Sequence, residues 1–307
     1  MALFSTKKGA ARLLIGTVIG LIIIKLVVSW LTGSISILAQ AADSLLDLFA
    51  GIITVSAVYM ASKPADAEHP YGHGKVEDIA GVVQGILIIT AGGLIIYSSV
   101  RRIMEGTVVE LAVAGIGVMA VSIAVSIFLS RHLIRVSRAT NSVALEANAR
   151  NIAADVYSAL AVLVGLAVVQ FTGINIIDPI IAIGVALYIL KIGYDTIHKP
   201  LSGLVDTKLS PLQEEAIKSS LEKHAQQVVG FHELRTRRAG SQYYIDLHLV
   251  MDRDVSVEQA HEVCDQIEDE IQGELPEASV TIHIEPCSDE CEECSVICSR
   301  QQATSSD

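Results

Sequence analysis

Apolar residues along this chain fall into two regimes that meet near residue 200. Before that point they come in blocks of twenty or more, enough to cross a hydrocarbon layer as helices; beyond Lys208 those blocks stop. Six membrane helices are predicted: one ending near Gly33, then Ile35 to Ala61, Asp78 to Val100, Leu111 to Arg131, Ser142 to Phe171 and Ile176 to Ile197. Asp178-Pro179 reads as a helix start that separates the last two. The opening twelve residues are basic (Lys7, Lys8, Arg12) and no small-residue cleavage site follows, so the first block reads as a retained helix rather than a signal peptide.

After Leu201 the period changes. Ser210 to Val229 is predicted as an amphipathic helix, Phe231 to Arg237 and Tyr243 to Met251 as strands around Gly240, Val257 to Glu274 as a second helix and Ser279 to Glu285 as a last strand. This αββαβ order predicts a small α+β sandwich with helices on one face of a sheet. The expected organisation is a six-helix membrane domain over 1–207, a cytoplasmic domain over 208–286, and an acidic, cysteine-rich tail over 287–307 whose final QQATSSD has a disordered composition.

Charge sharpens the division. The chain carries −12 in all, with −13 from Lys208 onward and +1 before it. An acidic soluble part argues against nucleic acid; it suits a cation-handling surface, and equally an ordinary solvated face. In the polar segments on the N-terminal side of the membrane lie Lys7, Lys8, Arg12, Lys63, Lys75, Arg131, Arg135, Arg138 and Arg150, against Arg101 and Arg102 on the other. The positive-inside rule then places both termini in the cytoplasm, as in a protein of the cell (inner) membrane.

Candidate chemistry starts inside the membrane. Asp43 and Asp47 lie four residues apart in helix two, about one turn, so they share a face. Acids at that depth are costly and are rarely there for structure alone. Asn151 and Asp155 repeat the spacing in helix five, which suggests one cation site made by two helices. Lys25, midway along the first block, pairs with an acid, snorkels towards the interface or is buried against a neighbouring helix.

The loop KPADAEHPYGHGKVED sets Asp66, His69 and His73 at D-x2-H-x3-H, a set that zinc, iron or manganese accepts, although a polar turn with close histidines has the same spacing. It is not H-E-x-x-H, which disfavours a zinc hydrolase. His232, His248, His261 and His283 are spread over the strands and second helix of the C-terminal domain. In the tail, Cys287, Cys291, Cys294 and Cys298 are spaced C-x3-C-x2-C-x3-C, on one side of a helix if one forms. A cytoplasmic location favours thiolate ligation over stable disulfides, with redox chemistry or an inert tail as alternatives. Cys264, alone on the second helix, reads as a buried apolar residue.

ADSLLD in helix two, DAEHPYGHGKVE in the loop, NxxxD in helix five, GLVD after helix six and the histidine-bearing αββαβ domain together resemble the cation diffusion facilitator family, from about residue 10 to 286. The resemblance implies a homodimeric antiporter that exports divalent transition metals in exchange for protons, with a metallochaperone-like cytoplasmic domain. It implies a transport site of Asp43, Asp47, Asn151 and Asp155, and a loop site of Asp66, His69 and His73. It also implies regulatory sites built from His232, His248, His261, His283 and Glu285, and an interlock of Lys75 with Asp206 holding the dimer near the membrane surface.

Two positions depart from the family pattern. Asn151 stands where zinc-selective members usually have histidine, and Glu285 where aspartate is common. Three carboxylates and an amide carbonyl form an all-oxygen set suited to manganese, and manganese-exporting relatives are similar in having asparagine or aspartate there. The loop histidines and tail thiols instead suit zinc, iron or cadmium. Expected partners are a second copy of the chain, divalent cations, protons and membrane lipid, with no cofactor beyond metal ions and no enzymatic activity. A metal-dependent hydrolase would leave the acids of helices two and five without a role; a membrane metal sensor that moves no ions is a third reading.

Overall fold

A computed structural model of the chain describes residues 6–287 apart from 33–34, 106–112, 173 and 175; the side chains of some further helical residues, Asp43 among them, lie outside the described set. The chain forms two compact units that divide between Leu204 and Val205.

The first unit is a bundle of α1 (Lys7–Thr32), α2 (Ile35–Ala61), α3 (Lys75–Glu105), α4 (Val113–Thr140), α5 (Val143–Thr172) and α6 (Ile177–Leu204). Among the described residues, α1, α2, α3, α4 and α6 are long and apolar enough to cross a membrane. The sixth helix, α5, is 30 residues long and packs against α2, α3, α4 and α6. Leu14, Val58, Leu129, Leu133 and Leu145 form the buried core where α1, α2, α4 and α5 meet. Trp30, Leu46, Phe128 and Phe171 are exposed on the outside, as contact with hydrocarbon requires.

The contact between α3 and α6 depends on missing side chains. A Cβ at Gly85 would stand 2.3 Å from Ile197 Cγ1, and one at Gly81 would stand 2.6 Å from Pro200 Cγ. Small residues let two membrane helices approach this closely, and dispersion then holds them. Pro200 lies inside α6, one turn before its end, where its ring fills the space above Gly81.

The second unit contains α7 (Pro211–Lys223), β1 (Gly230–Ala239), β2 (Gln242–Met251), α8 (Val257–Glu274) and β3 (Ala278–Pro286). The sheet order is β1-β2-β3, with β1 antiparallel and β3 parallel to the central β2. Ile245, Leu247 and Leu249 of β2 are buried with Ile217 and Leu221 of α7 and Ile267 and Ile271 of α8, so the helices cover one face. Alternation along β2 sends Asp246 and His248 to the other. Ser210 and Ser256 start the two helices in capping boxes with Gln213 and Gln259.

Element bounds move for physical reasons. Helix α3 begins at Lys75 rather than Asp78, because Glu77 and Asp78 are buried first-turn residues rather than loop. Helix α4 continues from Arg131 to Thr140, and α6 through Pro200 to Leu204, as polar extensions of apolar spans. Helix α7 ends at Lys223, six residues before Val229, with His224 as its C-cap.

Candidate metal sites

The intramembrane acids sit on packed helices. Helices α2 and α5 touch directly, and Asp47, Asn151 and Asp155 are each half-buried. Helix α2 carries Asp43 one turn before Asp47; the Asp43 side chain lies outside the described set. Lys25 of α1 donates from Nζ to Ser44 Oγ at 2.6 Å. Ser44 is buried on α2, so the lysine's charge is held against a neighbouring helix rather than at the end of its own.

The start of α5 is tied to α3. Glu77, 1 % exposed, accepts through Oε2 from Ser142 Oγ (2.8 Å) and from the Val143 backbone N–H (2.9 Å), the first residue of α5. Lys7 Nζ stands 3.8 Å from its other oxygen. A carboxylate on the free N–H groups of a helix start is favourable both as hydrogen bond and as charge.

The loop between α2 and α3 closes on itself. Asp66 Oδ1 accepts from the backbone N–H of His69 at 2.7 Å and of Glu68 at 3.1 Å. His69 Nδ1 lies 3.3 Å from Oδ1, and His73 Nε2 lies 3.4 Å from Oδ2. The three residues offer ligand atoms all within 4.8 Å of one another. The backbone N–H of His69 is the main cause that holds the Asp66 carboxyl below its ordinary range. Such a carboxylate is ionised at neutral pH and can bind a cation without first losing a proton.

On the open face of the second unit, register builds the cluster. His232 of β1 pairs with His248 of β2, which pairs with His283 of β3, so one imidazole comes from each strand in a row. Glu285 joins them: Oε2 is 3.0 Å from His232 Nε2, Oε1 is 2.8 Å from His248 Nδ1, and Oε1 is 3.7 Å from His283 Nε2. Burial would raise the Glu285 carboxyl, but the hydrogen bonds with His232 and His248 outweigh it and hold the group below its ordinary range.

The register slips between His232 and Arg235, and the bulge gives Glu233 a φ of +50°. Glu233 Oε2 thereby comes within 3.8 Å of His248 Nε2 while also pairing with Arg235. His232, Glu233 and His248 form a second three-residue set with ligand atoms within 4.8 Å. Sequence spacing missed Glu233, since nothing in FHELRTR marks the bulge.

His261 is elsewhere. It is exposed on α8 and stands 3.6 Å from Asp265, so within one chain it does not join the row. Asp206 pairs with Arg237 at 3.4 Å inside its own unit, and Lys75 opens α3. Cys264 is buried, which pushes its thiol up, with Glu268 and Asp265 adding to the shift. Cys287 donates its backbone N–H to Met251 O; Cys291, Cys294 and Cys298 lie outside the described residues.

These features coincide with a known family. Residues 12–205 match the cation efflux transmembrane domain, and residues 209–287 match the cytoplasmic domain of cation efflux proteins. A transporter of Synechocystis sp. named only as uncharacterized is 33% identical over 279 residues, 91% of this chain and 90% of its own. The cation-efflux pump FieF of Shewanella oneidensis is also 33% identical over 279 residues, 91% of this chain and 94% of its own. Among solved structures, the metal-bound C-terminal domain of the CzcD transporter from Thermotoga maritima is 30% identical over 25% of this chain and 94% of its own, with a TM-score of 0.24. The chain belongs to the cation efflux, or cation diffusion facilitator, family. It is an integral membrane protein of a family of metal-cation efflux transporters, and it carries that family's cytoplasmic domain.

Proposed function

We propose that this protein exports divalent transition-metal ions from the cytoplasm by proton antiport, with manganese favoured and iron, zinc and cadmium as further substrates. The observation that carries the choice of metal is Asn151, which leaves Asp43, Asp47 and Asp155 to form an all-oxygen set with it. An amide does not titrate. Every proton exchanged therefore rides on the three aspartates, and the ion and the protons compete for the same carboxylate oxygens.

The working unit is a homodimer in the cell membrane with both termini cytoplasmic. Lys75 and Asp206 interlock near the membrane surface, while the loop site and the histidine row bind the same ions as regulators. His261 would contribute to the regulatory sites from outside the row, and Cys287, Cys291, Cys294 and Cys298 would capture ions at the tail.

A zinc or iron exporter is the alternative favoured by the imidazoles of the loop and of the row. Competitive uptake of manganese, iron, zinc and cadmium into proteoliposomes under a proton gradient separates the two. Asn151→His is expected to move preference towards zinc and to alter the pH dependence of exchange; an unchanged metal profile would refute the role of Asn151. Binding without flux in the wild type would make the protein a sensor instead.

A further inference from the structure

Two amides in the bundle are buried without full partners. Asn148 of α5 is 1 % exposed, and neither its Nδ2 nor its Oδ1 makes a hydrogen bond among the described residues. Gln84 of α3 is 0 % exposed; its Nε2 donates to Ala50 O at 2.8 Å and to Thr54 Oγ1 at 3.2 Å, both on α2. Those two bonds fix the orientation of the amide and leave Gln84 Oε1 as a buried acceptor with no donor among the described residues. A buried amide with no protein partner is costly, so such groups call for a water molecule or a visiting ion to satisfy them.

Their placement indicates which visitor. Asn148, Asn151 and Asp155 follow the i, i+3, i+7 spacing of one helix face, and Thr54 lies seven residues beyond Asp47 on α2. On both helices the polar group is thus about 10 Å from a transport aspartate. On both it lies towards the same end of the bundle: α2 runs into the Asp66–His69–His73 loop, and Glu77, just past that loop, holds the first residue of α5. Gln84 bonds Thr54 directly, and Glu77, seven residues before Gln84, holds Val143, five residues before Asn148; with α2, α3 and α5 packed pairwise, the helical rise sets Thr54, Gln84 and Asn148 at similar heights, in one layer on the loop side of the transport aspartates.

We propose that the Thr54–Gln84–Asn148 layer is a transient, uncharged subsite on the ion's route between the loop and the transport aspartates. Amide and hydroxyl oxygens replace part of the ion's water shell there. A neutral oxygen site suits a hard divalent cation that keeps some of its water, and it holds the ion weakly enough to pass it on to carboxylates. The inference rests on the transport reading above and adds a kinetic step to it.

The test is Asn148→Leu, close in volume, beside Asn148→Ser, which keeps an oxygen. Initial manganese uptake into proteoliposomes is compared with equilibrium manganese binding to the detergent-solubilised full chain, where the binding lost in Asp155→Ala identifies the transport site. For Asn148→Leu the expected result is uptake slowed at least tenfold, a transport-site Kd within threefold of wild type, and a Tm equal to or above wild type. Asn148→Ser is expected to keep at least a third of the wild-type rate.

Wild-type uptake by a folded Asn148→Leu would overturn the proposal. A loss of binding that parallels the loss of flux would also overturn it, since Asn148 would then belong to the transport site itself. So would a serine variant no faster than the leucine one. A wild-type chain that binds manganese but moves none would instead overturn the transport reading, a result distinct from all three.

Discussion

Glu285→Gln isolates the carboxylate on which the histidine row converges. The side chain is 34% exposed, so its bonds to His232 and His248 are discounted for solvent and contribute about 0.5–1 kcal/mol each to the metal-free domain. Metal binding should change far more. Loss of an anionic ligand is expected to weaken zinc, used as the probe, about 100-fold, at the upper end of what even outer-shell partners cost a metal site. Zinc at one hundred times the wild-type Kd adds about 2.7 kcal/mol to the wild type, but about 0.4 kcal/mol to the variant.

A domain of this size gains roughly 4–8 °C in Tm per kcal/mol. Zinc should therefore raise the wild-type Tm by about 11–22 °C and the variant's by about 2–3 °C. Residues 206–287 suit the assay because their sheet and helices close around a core of their own. Calorimetric scans with and without zinc, and a zinc titration for Kd, give both numbers. A variant that keeps the wild-type zinc shift, while a His248→Ala control loses it, would refute the convergence on Glu285.

Three further outcomes are expected. Gly85→Val sets a branched side chain where even a Cβ would stand 2.3 Å from Ile197, so it should cost about 1–3 kcal/mol of bundle stability, partly restored by Ile197→Ala; thermal unfolding in detergent measures both. Asp66 has a folded-state pKa below its ordinary value, so its contribution to loop order is full above the ordinary aspartate range and is lost as pH falls through the folded value. Hydrogen-exchange protection of the His69 amide should follow that curve, and a flat profile would count against it. Ser256→Ala removes the cap that accepts from Gln259 N at 3.2 Å and should lower the stability of the cytoplasmic domain by about 0.5–2 kcal/mol in urea unfolding.

The bounds of α2 and α8 were legible to the residue, because an apolar span and a capped amphipathic helix are both local patterns. Charged ends were not. Glu77 reads as loop by composition, and only the proximity of Ser142 and Val143 shows why a carboxylate is buried there. The histidines of the row and Glu285 were readable through the family resemblance, but their single-file arrangement depends on strand pairing between distant segments. Glu233 depends on a bulge, and Asn148 on burial within the bundle. Neither has a signature along the chain.

The row of imidazoles also depends on correct strand pairing. His232, His248 and His283 stand side by side only when all three strands are in register, since a slip of one residue in any strand turns its histidine towards the helices. One of the pairings is parallel and joins β3 to β2 across α8, a contact between distant parts of the chain that forms slowly. A metal ion that needs all three ligands would stabilise the correctly paired sheet and none of its slipped competitors. Metal present during folding would then favour the native register over the slipped ones.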